Sequence, residues 1–132
     1  MIALTIPGQP QGKARARVGK WGTYTPEKTV MYENLVKTLY IEKYNTNKLD
    51  GALLMRVEAF YSIPKSVTKK VRDGIRTGEI LPTVKPDLDN VLKVIMDSLN
   101  GIAYDDDKQV VGVILGKMYD ITPRVEIIIN KA

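Results

Sequence analysis

The sequence of 132 residues contains neither cysteine nor histidine. Without cysteine the chain forms no disulfide framework, no cysteine-ligated zinc site and no thiol nucleophile. Without histidine it has no imidazole base and no histidine ligand for a metal ion. Any catalysis must therefore depend on carboxylates, lysines, hydroxyl groups or a bound metal ion.

Long hydrophobic segments are also absent. No apolar run approaches the roughly 20 residues that span a bilayer. The N-terminal segment is interrupted too early, by Pro7, Gly8 and Pro10, to be a signal peptide. We therefore expect no membrane partner and a cytoplasmic location. The length predicts one domain, residues 1–132, which is large enough to bury a hydrophobic core.

Charge is distributed unevenly along the chain. The 20 Lys and Arg residues outnumber the 15 Asp and Glu residues, which gives a formal net charge of +5. Basic residues concentrate in 1–28 and 64–85, whereas aspartates crowd into 86–110. Two basic segments that flank an acidic one indicate a polyanionic partner such as nucleic acid.

Four stretches have the apolar pattern of β-strands: 2–6, 53–62, 109–120 and 124–130. In the second stretch, Met55, Val57, Ala59 and Tyr61 share one face. Phe60 projects from the other face, where we expect it to serve a dimer interface. Strands and helices mix without regular βαβ repetition, which predicts an α+β fold with a small mixed β-sheet packed against two main helices.

Three segments predict helices: 26–44, a short basic segment between 66 and 78, and a segment from 89 or 90 to 101. Thr25 is the expected N-cap of the first helix, with Pro26 at its first position. The apolar residues with helical spacing in this helix are Val30, Met31, Leu35, Leu39 and Ile41. Gly101 is the expected C-terminal glycine of the third helix.

The third predicted helix carries the acidic residues with the most informative spacing. Asp87 and Asp89 are two residues apart, so in an extended segment both carboxylates point the same way. At about 100° per residue, the helix separates a polar side (Asn90, Lys93, Asp97, Asn100) from an apolar side (Val91, Val94, Ile95, Ser98, Leu99). The acidic turn 105–107 precedes a strand that is expected to return a third carboxylate to the helix start.

Each of these acidic features has a simple structural explanation. An Asp-x-Asp pair at a helix start is commonly a cap, and an Asp-rich turn is commonly a solvated loop. Asp89, Lys93 and Asp97 by themselves are typical of surface ion pairs, each worth a few tenths of a kcal/mol. Together, however, the features favour a site for a hard divalent cation, to which flanking basic segments would bring a phosphate backbone. Phosphatases and glycosyltransferases that use Asp-x-Asp place it after an apolar strand, whereas Pro86 precedes it here.

Basic and aromatic residues provide candidates for contacts to nucleic acid. Lys13, Arg15 and Arg17 alternate, so in an extended segment they share one side and are the first candidates for phosphate contacts. The other basic candidates are Lys20, Lys69 and Lys70. Trp21 and Tyr24 are candidates for stacking on an exposed base, although we expect at least one of them to anchor its loop in the core.

The segment "KPDLDNVLKVIMDSLNGIAYDDDKQVV" resembles the core of the RusA-type Holliday junction resolvases, endodeoxyribonucleases common in bacterial prophages. The resemblance extends to "PGQPQGKARAR", "YTPEKTVMYE" and "PRVEIII", and thus to most of the chain. It implies a small α+β homodimer that binds four-way DNA junctions and makes paired, symmetric nicks with magnesium. No small-molecule cofactor is implied.

The resemblance also assigns roles by position. Asp87, Asp89 and Asp107 match the essential acidic residues of the family, which would hold one or two Mg²⁺ ions. Lys93 matches its essential lysine and would neutralise charge on the scissile phosphate or position the nucleophile. Asp106 matches a neighbouring aspartate of less defined role, and Asp105 is expected to be a loop residue. The alternative is a branched-DNA-binding module without catalysis.

Overall fold

The computed structural model describes all residues, 1–132. In chain order its elements are β1 (Ile2–Pro7), β2 (Arg17–Gly19), β3 (Gly22–Tyr24), α1 (Glu27–Tyr44), β4 (Leu53–Ser62), α2 (Lys69–Thr77), α3 (Leu88–Leu99), β5 (Val110–Asp120) and β6 (Arg124–Lys131). A short 3₁₀ turn, Asp107–Gln109, precedes β5. None of the three helices has the length and hydrophobicity needed to cross a bilayer.

Four strands form one mixed sheet in the order β1-β6-β4-β5. β6 pairs antiparallel with both β1 and β4, whereas β4 and β5 run parallel. A parallel pair requires a long crossover, which here contains α2 and α3. The predicted α+β class and mixed sheet are confirmed.

The hydrophobic core lies between one face of the sheet and the helices α1 and α3. Alternate residues of β4, from Leu53 to Tyr61, are buried, and this confirms the predicted strand face. The apolar side predicted for α3 is also buried, from Val91 to Leu99. On the opposite face of β4, the ring of Phe60 lies under the guanidinium of Arg124, whose Cζ is 3.9 Å from the ring centroid. Because α3 packs its apolar side against the core, its polar side faces away from the core.

Most of the apolar residues with helical spacing in α1 do not form its buried side. Met31, for example, is 64% exposed, whereas Leu39 is partly buried against the core. The residues that α1 buries are Thr29, Tyr32, Val36 and Tyr40. These also follow helical spacing, and the tyrosine rings bring large apolar surfaces to the core. Tyr40 donates its hydroxyl proton to the carbonyl of Asn47 at 3.0 Å, whereas the buried hydroxyl of Tyr32 has no hydrogen-bond partner.

Helix boundaries shift by one or two residues from the predicted ones. Pro26, not Thr25, is the N-cap of α1. α3 begins at Leu88 with Asp87 at the N-cap position, and Gly101 follows its end with φ of +78°. This left-handed conformation favours glycine, as predicted. The short basic helix is confirmed as α2. The hairpin formed by β2 and β3 was not predicted.

Candidate functional site

The exposed side of α3 presents Asp89, Lys93 and Asp97 at spacings of one turn. The ammonium of Lys93 lies 3.7 Å from a carboxylate oxygen of Asp97. The Lys93 side chain is nevertheless 64% exposed to solvent. The predicted partnership of Asp97 with Lys93 is therefore present, and it leaves the lysine accessible to a ligand.

Asp87 and Asp89 lie at the start of α3 without partners in the chain. The side chain of Asp87 forms no capping hydrogen bond. Neither carboxylate takes part in a salt bridge. Asp89 lies in the first helical turn instead of an extended segment, so strand alternation does not align the two side chains. Their oxygens are free for an external cation.

The segment before Asp87 is anchored to the sheet by two side chains. The hydroxyl of Tyr61 on β4 donates to the carbonyl of Pro86 at 2.6 Å. The ammonium of Lys117 on β5 donates to the carbonyl of Val84 at 2.6 Å. Burial, with a contribution from the charge of Asp87, raises the pKa of Tyr61 to about 12. The phenol therefore stays protonated and keeps donating at neutral pH.

The acidic turn is organised by hydrogen bonds of its own. Asp106 accepts from the backbone N–H of Lys108 at 2.9 Å and caps the 3₁₀ turn. The side-chain carbonyl of Gln109 accepts from the backbone N–H groups of Asp105 and Asp106. Asp105 pairs with Lys48 at 3.1 Å across an exposed surface. Asp106 thus has a structural role in this turn, and Asp105 is a loop residue.

Asp107 lies at the end of α3, not at its start. Its backbone N–H donates to the side-chain oxygen of Asn100 at 2.9 Å. Since twelve helical residues span about 18 Å, the acidic turn does not return a carboxylate to the helix start as expected. No group of three or more acidic side chains in the chain is placed to hold a metal ion. The predicted metal ligands are therefore divided between the two ends of α3.

The carboxylate of Asp107 lies among other charged groups. Burial raises its pKa, and a hydrogen bond with Asp106 and the charges of Asp106 and Asp97 raise it further. Lys93 acts in the opposite direction. Carboxylates this close repel one another unless a cation compensates their charge.

Lys13 joins the N-terminal loop to both main helices. Its ammonium lies 3.0 Å from Glu33 on α1 and 3.3 Å from Asp97 on α3. Burial alone would lower the pKa of Lys13, but the hydrogen bonds to the two carboxylates outweigh it and raise the pKa. Its backbone N–H also donates to the carbonyl of Asn90 at 3.0 Å. Unlike the exposed Arg15, Lys13 is engaged within the protein.

The family model for endodeoxyribonuclease RusA matches residues 7–130. The chain belongs to the RusA family. A similar curated protein is the uncharacterized protein YqaN of Bacillus subtilis (strain 168), which is 34% identical over 136 residues. The alignment covers 98% of this chain and 96% of that protein. The RusA resemblance of the sequence is thereby confirmed.

In this RusA-family chain, the hairpin of β2 and β3 carries exposed basic and aromatic side chains. Arg17 lies on β2, and Trp21, at the turn, is 93% exposed. The ammonium of Lys20 lies 5.5 Å from the centroid of the Trp21 ring. Tyr24 is half-exposed and lies against Gly19, where an added Cβ would come within 2.9 Å of its ring. Neither aromatic reaches the core, so the expectation that at least one does was wrong.

Lys69 and Lys70 begin α2, where both are exposed. Sequence reasoning missed Tyr61 and Lys117 as residues that position the RusA acidic segment. Their partners lie 25 and 33 residues away in the chain. No local pattern signals a contact of that separation.

Proposed function

We propose that this protein is a structure-specific endodeoxyribonuclease that resolves Holliday junctions by paired, symmetric nicks in a Mg²⁺-dependent reaction. One observation supports this most: in a RusA-family chain, Asp87 and Asp89 are unpaired carboxylates at the start of the helix that carries an exposed lysine, Lys93, about one turn after Asp89. Free carboxylates beside an ammonium group are the side chains that cleavage of a phosphodiester requires when no histidine is present.

The donor set fits a hard divalent cation, because it consists of carboxylate oxygens without sulfur or imidazole. We propose Asp87, Asp89 and Asp107 as the residues that would hold Mg²⁺. When bound, the ion would lower the pKa of a water molecule and stabilise charge on the phosphate. Within one chain Asp107 lies at the other end of α3, so the three carboxylates would meet only if the acidic turn moved or a second copy supplied one of them.

The remaining residues of the site would position the substrate and its charge. Lys93 would neutralise the negative charge that develops on the scissile phosphate. The ion pair with Asp97 would restrict the orientation of the Lys93 side chain. Asp97 also forms an ion pair with Lys13, which would restrict its own orientation. Tyr61 fixes the carbonyl that directly precedes Asp87. These contacts would preorganise the site before DNA binds.

We propose that branched DNA is bound through the exposed basic residues, with Arg15, Arg17 and Lys20 near the hairpin and Lys69 and Lys70 on α2. The Lys13 prediction stays open to test, since its ammonium pairs with carboxylates in this structure. The exposed indole of Trp21 would stack on an unpaired base at the branch point. A four-way junction is close to two-fold symmetric, so a C2 homodimer would place two equivalent sites on it.

The direct experiment incubates the purified protein with a synthetic four-way junction, with Mg²⁺ and with EDTA. We expect symmetric nicks only with Mg²⁺, and none in a linear duplex of the same sequence. Absence of cleavage with every divalent ion tested would contradict the proposal.

The second candidate is a branched-DNA-binding module without catalysis. It is favoured by the division of the acidic residues between the two ends of α3, which leaves no three-carboxylate group in one chain. Such a module would bind the junction more tightly than linear duplex and leave it intact with every divalent ion.

A further inference from the structure

A polar cavity of about 410 Å³ lies beside Asp87. Apart from two prolines and a glycine, the ten residues that line it have polar or charged side chains. They come from three parts of the chain: the N-terminal loop (Gln9, Pro10, Gln11, Gly12, Lys13), the first turn of α1 (Lys28) and the segment at the start of α3 (Lys85, Pro86, Asp87, Asn90). A cavity lined in this way suits a polar or charged ligand.

We propose that this cavity binds a phosphodiester group of the DNA backbone next to the scissile one, held by Lys28 and Lys85. This inference rests on the proposed function and extends it, because it names a phosphate position and two lysines outside the predicted DNA-binding residues. The basic and polar side chains of the lining suit a phosphate, and Asp87, which also lines the cavity, places that phosphate beside the candidate site.

The charge balance of the cavity favours an anion. Lys28 and Lys85 are exposed, and neither forms a salt bridge. Lys13 also lines the cavity, but its charge is compensated by Glu33 and Asp97. Asp87 contributes one opposing charge. Two free ammonium groups against one carboxylate leave a net positive cavity, to which the phosphate backbone is attracted.

The walls that carry the two lysines are held in place. Lys85 lies between Val84 and Pro86, whose carbonyls accept the hydrogen bonds from Lys117 and Tyr61. Lys28 precedes the buried Thr29, whose hydroxyl accepts from the backbone N–H of Ala14 at 3.3 Å. Both backbones are therefore fixed, and binding would require only the side chains to become ordered.

The N-terminal loop closes the cavity at a glycine. A Cβ at Gly12 would lie 3.0 Å from Cβ of Pro86 and 3.1 Å from Cβ of Asn90. A side chain at this position would require Pro86 or Asn90 to move by a few tenths of an ångström, so glycine suits this close approach. At the other side, the backbone N–H of Ser62 donates to the side-chain oxygen of Gln9 at 3.4 Å. The cavity is therefore formed before a ligand binds.

The test measures DNA binding in EDTA, so that cleavage plays no part. Lys28→Gln, Lys85→Gln and the double variant are titrated with a duplex whose ends are sealed by hairpin loops, at several salt concentrations. Lys131→Gln, the same change at the end of β6, is the matched control. Thermal unfolding checks that each variant is folded.

We expect the double variant to bind about tenfold more weakly, with the slope of log K against log salt reduced in magnitude by about 0.9, the value for one phosphate. Each single variant should show part of this change, and Lys131→Gln none. A double variant with wild-type slope and affinity, or an equal change in Lys131→Gln, would overturn the inference. So would an effect that appears only on DNA with open, 5′-phosphorylated ends, since the ligand would then be a terminal phosphate.

The failure of this inference is distinguishable from that of the proposed function. A wild-type protein that nicks junctions while the double variant keeps its salt slope contradicts only the cavity. A wild-type protein that binds DNA without nicking it contradicts only the nuclease, and the salt slopes still decide the cavity. A wild-type protein that binds no DNA overturns both.

Discussion

The two ends of α3 carry the same type of residue in different surroundings. At the start, Asp87 and Asp89 have no ion-pair partner. At the end, Asp97 pairs with two lysines, and Asp106 caps a 3₁₀ turn. The first end has unused ligand oxygens, and the second has acidic groups that already support the fold. Substitution at the first end should therefore affect chemistry, and substitution at the second should affect stability as well.

The difference shows that residue type alone does not assign a role to a carboxylate. All these aspartates occur within one acidic segment of the sequence. Some of them have partners from elsewhere in the chain: Lys13 pairs with Asp97, and Lys48 pairs with Asp105. A carboxylate whose partners are supplied by the fold is held for a structural reason, whereas one without partners is available for a ligand.

The largest effect is expected at the start of α3. Asp89→Asn removes a candidate ligand charge and should reduce Mg²⁺-dependent cleavage at least about 100-fold. Because Asp89 has no side-chain partner and loses only the interaction of its charge with the N-terminus of α3, the free energy of unfolding should fall by about 1 kcal/mol or less. Nicking assays and denaturant unfolding measure the two effects. Asp105→Asn, at an exposed pair with Lys48, is the control and should cleave normally. Normal cleavage by Asp89→Asn would remove this residue from the proposed site.

The next largest effect is expected between the two ends, at Lys93. Lys93→Gln should reduce the cleavage rate by up to about 100-fold, because a charge facing the phosphate is lost. Lys93→Arg should restore part of the rate, since it returns the charge with a different shape. Junction binding, measured in EDTA, should change much less. If binding and cleavage fell in proportion, Lys93 would act in binding alone.

A substitution at Lys13 tests the end of α3, where the acidic side chains have partners. Lys13→Gln leaves Glu33 and Asp97 without their shared cation, so we expect a loss of about 1 kcal/mol in the free energy of unfolding. The salt dependence of DNA binding should stay unchanged. Arg15→Gln, in contrast, should reduce the salt slope by up to about 0.9 with no loss of stability. A reversed pattern would show that Lys13 contacts DNA.

A smaller effect is expected at Tyr61, which anchors the segment that precedes Asp87 at the start of α3. Tyr61→Phe removes the hydrogen bond to Pro86 and should reduce stability by about 1 kcal/mol or less. Cleavage should fall modestly because the segment before Asp87 is less well fixed. Tyr24→Phe is the matched control, on the exposed hairpin. Equal cleavage by wild type and Tyr61→Phe would mean that the contact does not position the site.

The smallest effect is expected away from both ends, at the pair of Asp120 with Arg124. The hydrogen bond from Arg124 lowers the pKa of Asp120. A lowered folded-state pKa gives stability that is present at neutral pH and is lost as the pH falls through that pKa. Asp120→Asn should therefore unfold slightly more easily at pH 7, with the difference disappearing in acid once the pH has fallen below the lowered pKa of Asp120. Asp50→Asn, at an exposed residue, is the control. A difference that persisted in acid would assign the effect to packing.

Much of the fold was predictable because it depends on local patterns. The alternation in β4 and the two sides of α3 follow from residue spacing, and the structure confirms both. The buried side of α1 was not predicted, because its aliphatic residues keep helical spacing as well, while the structure buries Tyr32 and Tyr40. The hairpin was missed because its strands have three residues each, too few for a pattern.

The sequence by itself determined the RusA family, the mixed α+β class and the acidic and basic residues available for DNA cleavage. These depend on motifs and on periodicity, which neighbouring residues define. Only the tertiary structure decided that Asp107 lies at the end of α3, that Lys13 is held by Glu33 and Asp97, and that Lys28 and Lys85 share one polar cavity. The last two join residues distant in the chain, and such distances become short only when helices and strands pack.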